Sequence, residues 1–233
     1  DAHTGEDLLP KIRETIAKNG FLPQDAEQRD QSWLDTYGMV QTIMADFPEF
    51  LPNTYDQYYL YPDYKVSHLD PNFTRADEVM AGREKRVFTE CAEVIKEGKL
   101  GDKFHAISDA HAEMMIKVAE AIAYNKNDRH ILIVENNGAI ANMQDDAMVE
   151  VVCELGINGP RPMRVGNIPQ FNLGLLVNQV SCEKLIVDAY FENSYQKALE
   201  AFTLNRLIND AKKARKVLDA LIEANKGMWP ELR

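Results

Sequence analysis

The chain has 233 residues, 45% of them apolar and 27% charged, with a formal net charge of -11. That length and balance describe an ordinary globular protein with room for one large domain or two small ones. The acidic excess argues against non-specific binding to nucleic acid or to an anionic membrane, although a local cationic pocket can still hold an anionic small molecule.

No apolar run nears the roughly 18 residues that cross a bilayer. The opening DAHTGEDLLPK has neither the basic start nor the apolar centre of a signal peptide, and its abrupt beginning beside a helix suggests a fragment or a processed chain. Residues 5–18 read as a short helix stopped by Asn19-Gly20. From Pro23 to about Phe47 a second helix is expected, with Trp33, Tyr37, Val40, Ile43 and Met44 on one stripe. Pro48 and Pro52 end it. The segment that follows holds five of the nine tyrosines and is interrupted by Pro62 and Pro71, so no more than a turn or two of helix around Tyr55 to Leu60 is expected.

Residues 74–98 read as a strong helix with Val79, Val87, Cys91, Val94 and Ile95 on one face and alternating charges on the other. Residues 109–124 repeat that design with Met114, Val118 and Ile122, and Ser108 as the N-cap. The pattern then changes. HILIVE (130–135), AMVEVVCE (147–154) and MRVGNI (163–168) read as three short strands. Beyond Pro169 the chain reads as helical. One helix or two broken ones run to about Asn205, with Phe171, Leu175, Leu185, Ala189, Leu199 and Phe202 inward. A last one spans Leu207 to Asn225, with Leu207, Ala211, Ala214, Leu218, Leu221 and Ile222 on one face. The expected fold is α+β: one domain over residues 1–233, mainly helical, packed on a small antiparallel three-stranded sheet.

The cofactor motifs of common enzymes are missing from the sequence. It has no glycine-rich dinucleotide loop, no phosphate-binding P-loop, no H-E-x-x-H pair and no G-x-S-x-G elbow. Asp145-Asp146 reads as a solvated loop, because neighbours on a strand point to opposite faces. Cys91, Cys153 and Cys182 are far apart and sit among apolar residues, so they are read as packing residues in a reducing compartment, the cytoplasm.

Two features carry chemistry. The tyrosines at 55, 58, 59, 61 and 64 read first as an aromatic wall. A phenol of pKa about 10 is a poor base at neutral pH unless a cation favours the phenolate and the proton it takes has been made acidic. Arg75 is the second feature. It falls in the first turn of a helix capped by Thr74, where a cation opposes the helix dipole. Either the side chain folds back onto Asp77 or Glu78, or it awaits an anion such as phosphate, which guanidinium grips with two prongs.

FPEFLPNTYDQYYLYPDY, FTRADEVMAGREKRVF, VENNGAIANMQDDAMVEVV, SYQKALEAFTLN and LIEANKGMWPEL together resemble the C-terminal half of the family 4 glycoside hydrolases, which in this family is a lactate dehydrogenase-like domain. Within the family the likeness is to the 6-phospho-α-glucosidases, which cleave maltose 6'-phosphate and related phospho-disaccharides. The resemblance implies hydrolysis by oxidation, elimination and addition, outside the usual two-carboxylate scheme. NAD takes hydride from C3 of the sugar, a divalent metal (usually manganese) polarises the ketone, and a tyrosine removes the proton at C2. The tyrosine that matches is Tyr55; the substrate-holding arginine that matches, in TRA-x-EVM, is Arg75, with the sugar 6-phosphate as its obvious target.

The family's Rossmann glycines for NAD, its metal-binding cysteine and histidine and its proton donor belong to an N-terminal half whose motifs are absent here. NAD and metal ligands are therefore expected outside this chain, which alone should be inactive. The resemblance further implies a cytoplasmic homo-oligomer, with the long C-terminal helices as the expected contact. Two alternatives stay open: a non-catalytic helical module that assembles subunits or binds a phospho-sugar, and a 6-phospho-β-glucosidase of the same family.

Overall fold

Helical periodicity dominates both ends of the chain and a two-residue alternation the middle, and the folded protein follows that division. A computed structural model describes residues 4–21, 31–99, 110–208 and 210–233. By its contacts the chain forms two units, Asp1–Asn72 and Phe73–Arg233.

In the first unit α1 (Leu9–Asn19) starts with a proline in its first turn and stops at Gly20, whose φ of 74° is open to glycine at no steric cost. It packs through buried Ile16 against α2 (Gln31–Asp46). The expected stripe on α2 is the observed core, with Tyr37, Val40, Ile43 and Met44 buried together with Met39, while Trp33 lies at the margin. The start expected at Pro23 falls outside the described residues. Two short helices, α3 (Asp56–Leu60) and α4 (Pro62–Ser67), complete the unit.

The second unit opens with α5 (Arg75–Glu97), closed by Gly98 in the left-handed conformation. Its apolar face exists, but no residue of the helix is buried: Val79, Val87 and Val94 are half-covered, and Cys91 and Ile95 are exposed. The reading of Cys91 as a packing residue therefore fails within this chain, whereas Cys153 and Cys182 are buried; all three are free thiols. The helix α6 (Ala110–Ala123) packs through Ala121 towards the sheet; the N-cap expected at Ser108 lies outside the described residues.

The sheet is antiparallel with strand order β1-β2-β3. Strand β1 (Asp128–Glu135) pairs with β2 (Met148–Gly156) from Asp128↔Leu155 to Glu135↔Met148, and β2 pairs with β3 (Gly159–Pro162). The third strand is thus found earlier than MRVGNI, at GPRP, which its prolines argue against. The register resolves the conflict. Met163 N–H donates to Val152 O at 2.8 Å, so the residues flanking Met163 by one and three, Pro162 and Pro160, turn their nitrogens away from β2. An edge strand loses nothing by a missing N–H there.

One face of the sheet is covered. Val149, Val151 and Cys153 are buried with Ala139, Ile140, Met143, Ala147 and Val180, and Leu132, Val134 and Leu173 close the cluster. Val180 and Leu173 come from α7 (Gln170–Glu192). Asn193 in the left-handed conformation breaks the helix, and α8 (Tyr195–Leu204) restarts with the Ser194 hydroxyl accepting from Lys197 N–H. The choice between one helix and two is therefore settled as two. The last helix, α9 (Ala211–Ala224), is capped by Asp210, and its stripe meets α8 in a second cluster built on Ala189, Ala198 and Leu218.

Candidate active site

The tyrosine segment is positioned by local hydrogen bonds rather than by burial. Asn53 Oδ1 accepts from Tyr55 N–H at 2.9 Å, and Asp56 Oδ2 accepts from Asn53 N–H at 2.8 Å. This turn, of a kind asparagine favours, places Tyr55 at the N-cap of α3. Burial pushes the Asp56 carboxyl up, against the opposing pull of its Asn53 hydrogen bond.

Beneath the turn Gln57 is 2% exposed. Its amide donates to Thr54 O at 2.7 Å and to Thr36 Oγ1 of α2 at 3.3 Å, which ties the segment to the core of the unit. Its Oε1 is buried without a partner. Sequence reasoning passed over Gln57; a lone amide among tyrosines was the available signal.

The five phenols separate by environment. Tyr61 donates to Asp46 Oδ2 at 2.5 Å, and desolvation reinforced by that carboxylate pushes its phenol up to about 12. Tyr64 stacks on His68 with ring centroids 4.1 Å apart. Lys65 Nζ lies 5.4 Å from the centre of the Tyr58 ring, and Tyr58 in turn lies 6.1 Å from Tyr55. Tyr59 is half-buried. Tyr55 is 67% exposed, and no hydrogen bond among the described residues engages its hydroxyl. It is the most exposed of the five phenols.

Arg75 opens α5 in the second unit. Asp77 Oδ2 accepts from both the Thr74 N–H, at 2.8 Å, and the Thr74 hydroxyl, at 2.7 Å, and these bonds, the hydroxyl's first, hold the Asp77 carboxyl below its usual range. With Asp77 so engaged, the Arg75 guanidinium folds onto Glu78, Nη1 to Oε2 at 2.6 Å, with the Arg75 side chain 59% exposed. The fold-back weighed from sequence is thus the arrangement present. An exposed pair of this kind is worth about 0–1 kcal/mol, small enough for a phosphate to displace. Tyr55 belongs to the first unit and Arg75 to the second.

Among the described residues no cluster of His, Cys, Asp or Glu could hold a metal ion. The Asp145-Asp146 pair lies in the loop between β1 and β2, where Asp146 pairs with Lys184 at 2.5 Å, and the lysine's hydrogen bond lowers the carboxyl.

The family 4 glycosyl hydrolase C-terminal domain matches residues 1–208 of this chain. The chain belongs to the family 4 glycosyl hydrolases. It is 48% identical to the maltose-6'-phosphate glucosidase of Clostridium acetobutylicum, over 98% of this chain and 52% of that protein. A crystal structure of a 6-phospho-α-glucosidase from gut microorganisms, in complex with NAD and Mn2+, superposes with a TM-score of 0.92 at 80% identity, over 100% of this chain and 53% of that one. A second such enzyme, in complex with NAD and glucose 6-phosphate, superposes at 0.90 with 44% identity, over 98% and 52%. The chain therefore spans about half the length of the family 4 proteins it matches.

Proposed function

We propose that this chain is the C-terminal, substrate-facing domain of a 6-phospho-α-glucosidase that hydrolyses phosphorylated disaccharides such as maltose 6'-phosphate, with Tyr55 as the base at C2 and Arg75 on the sugar phosphate. The observation that carries the reading is the 80% identity, across this whole chain, to a 6-phospho-α-glucosidase crystallised with NAD and Mn2+. Two features of the chain itself support the residue roles. Tyr55 is the most exposed phenol of its segment, and the Arg75 guanidinium forms an ion pair with Glu78 at the surface.

The chemistry assigned to this chain is narrow. Tyr55, as the phenolate, accepts one proton, and the hydrogen-bonded turn at Asn53 sets where the residue leaves the chain. Arg75 exchanges Glu78 for phosphate oxygens, a two-pronged charge-assisted grip. NAD and manganese supply the oxidation and the polarisation that make the C2 proton acidic. We assign both to the part of such an enzyme that lies outside the half spanned by this chain. We place the enzyme in the cytoplasm, where phosphorylated disaccharides formed on uptake are retained, and read it as a homo-oligomer. Among the described residues no helix is long and apolar enough to cross a membrane.

The test uses the intact enzyme with NAD and Mn2+. Release of glucose 6-phosphate from maltose 6'-phosphate is measured for the wild type and for Tyr55→Phe, alongside substrate binding by calorimetry. The expected result is lost turnover with binding nearly intact. Normal turnover by Tyr55→Phe removes the phenol from its role.

A further inference from the structure

The two edges of the sheet are treated differently. On β3 the outward positions carry Pro160 and Pro162, which cannot donate to a further strand, and such prolines are a common guard against edge pairing. On β1 no such guard exists. Its sequence DRHILIVE is apolar through the middle, with Ile131 58% and Ile133 68% exposed.

The hydrogen-bond phase of β1 follows from two bonds. Asn136 N–H donates to Ala147 O at 2.8 Å, in register with Glu135↔Met148, so the even-numbered residues of β1 point their backbone groups at β2. Val152 instead gives its carbonyl to Met163, the residue after β3, so its β1 partner Ile131 points away from β2, in agreement. The outward N–H and C=O groups of β1 therefore belong to Arg129, Ile131, Ile133 and Glu135.

These four residues form a palindrome. Turned about a two-fold axis through Leu132, the strand sets Arg129 against Glu135, Ile131 against Ile133, and each of these again in reverse. Every outward backbone group then finds a partner, opposite charges meet at both ends, and four isoleucines merge on one face. Slipping the register by one residue would set the Leu132 backbone, which faces β2, against one that faces outward, which breaks the hydrogen bonding. Slipping it by two parts Arg129 from Glu135 and strands the charges.

We infer that β1 is a self-pairing edge: a second copy of this chain docks antiparallel to it about Leu132 and makes one continuous six-stranded sheet. A different polypeptide, or another segment of the same one, could cover an apolar edge, but neither requires the strand to complement itself. The inference rests on the reading of the protein as a homo-oligomer and not on the roles of Tyr55 and Arg75. It moves the contact from the C-terminal helices, where the family resemblance put it, to the sheet.

The test is made in the intact protein. Arg129→Glu and Glu135→Arg are made singly and together, and association is measured by sedimentation. Each single change converts two attractive cross-strand pairs into two repulsive ones and should weaken the dimer at least about tenfold. The double change restores both pairs and should recover it. In a Cys91→Ser background, Leu132→Cys places the two thiols at the axis, in a pair of the type whose Cα atoms lie about 4.5 Å apart. It should give a disulfide-linked species of twice the mass, and Glu135→Cys should not. Ile133→Pro removes only an outward N–H, so it should abolish association and leave the circular dichroism unchanged. A monomeric wild type, single charge changes without effect, a double change no better than the singles, or no cross-link at residue 132 each overturns the inference. Loss of turnover in Tyr55→Phe with the dimer intact bears on the catalytic reading alone.

Discussion

The tyrosine segment of the first unit and the β1–β2 loop of the second are both organised by an asparagine, and to opposite ends. Asn53 works at the surface, accepting one backbone N–H so that Tyr55 is presented outward. Asn136 is fully buried. Its amide donates to the carbonyls of Ile140, Met143 and Gln144 at 3.0, 3.2 and 3.0 Å, and its oxygen accepts from Ile140 N–H at 2.7 Å. One side chain thereby closes a loop whose Ile140 and Met143 join the core under the sheet. The first segment displays chemistry on a scaffold that bears little load, whereas the second has its polar groups consumed by the fold. Substitutions should separate activity from stability along that line.

The largest expected effect is on activity alone. Tyr55→Phe removes one oxygen atom that no described hydrogen bond uses, so the thermal midpoint should stay within a degree or two, while kcat falls on the order of 10³-fold, within the usual range for a lost general base. A shared loss of stability and rate would erase the contrast. Asn136→Ala should do the reverse. It strands the Met143 carbonyl and the Ile140 N–H and takes one of two donors from the Ile140 and Gln144 carbonyls, which keep Met143 N–H and Ala147 N–H; a group left dry costs about 1–3 kcal/mol. With partial relaxation the loss should be about 3 kcal/mol, a fall on the order of 10 °C in the midpoint for a unit of this size, read by calorimetry. Asn136→Asp loses all three donations and should be no better.

Arg75 lies between these extremes. Arg75→Gln should raise KM for the phosphorylated substrate about 10- to 100-fold, the value of a charge-assisted hydrogen bond or two. Stability should change little, because the pair with Glu78 is exposed. Glu78→Gln removes that ion pair and should leave KM unchanged or lower it; a KM that rises equally in both variants would make Arg75 a purely structural partner of Glu78.

How much of this was legible beforehand depends on whether a feature is local. The α2 stripe from Tyr37 to Met44 follows from helical spacing, and the first two strands from branched apolar runs. The third was misplaced because Pro160 and Pro162 speak against a strand until the register shows that their nitrogens face outward, and register is a tertiary fact. The α5 face was legible as a pattern, but what covers it is not encoded in the pattern. At the site, Tyr55 follows from family resemblance and Arg75 from its awkward place in a first helical turn. Gln57 and Asn136 were invisible for a common reason: a polar residue discloses its burial only when distant chain arrives to bury it.

Tyr61 tests the comparison at its finest, because it is a phenol of the exposed segment whose hydroxyl the fold engages. Its hydroxyl donates to Asp46, and its phenol is raised to about 12 from an ordinary value near 10. The folded state then holds the proton more tightly than the unfolded chain. This stabilisation is complete below pH 10 and is lost as pH rises from about 10 through 12. Tyr61→Phe should therefore be slightly less stable than wild type at neutral pH, with the gap closing across that alkaline window in denaturant titrations. Tyr55→Phe, which removes an unengaged hydroxyl, should show no such convergence. If the two variants follow the same alkaline profile, the five phenols are one undifferentiated wall, and the distinction between presented and engaged tyrosines is lost.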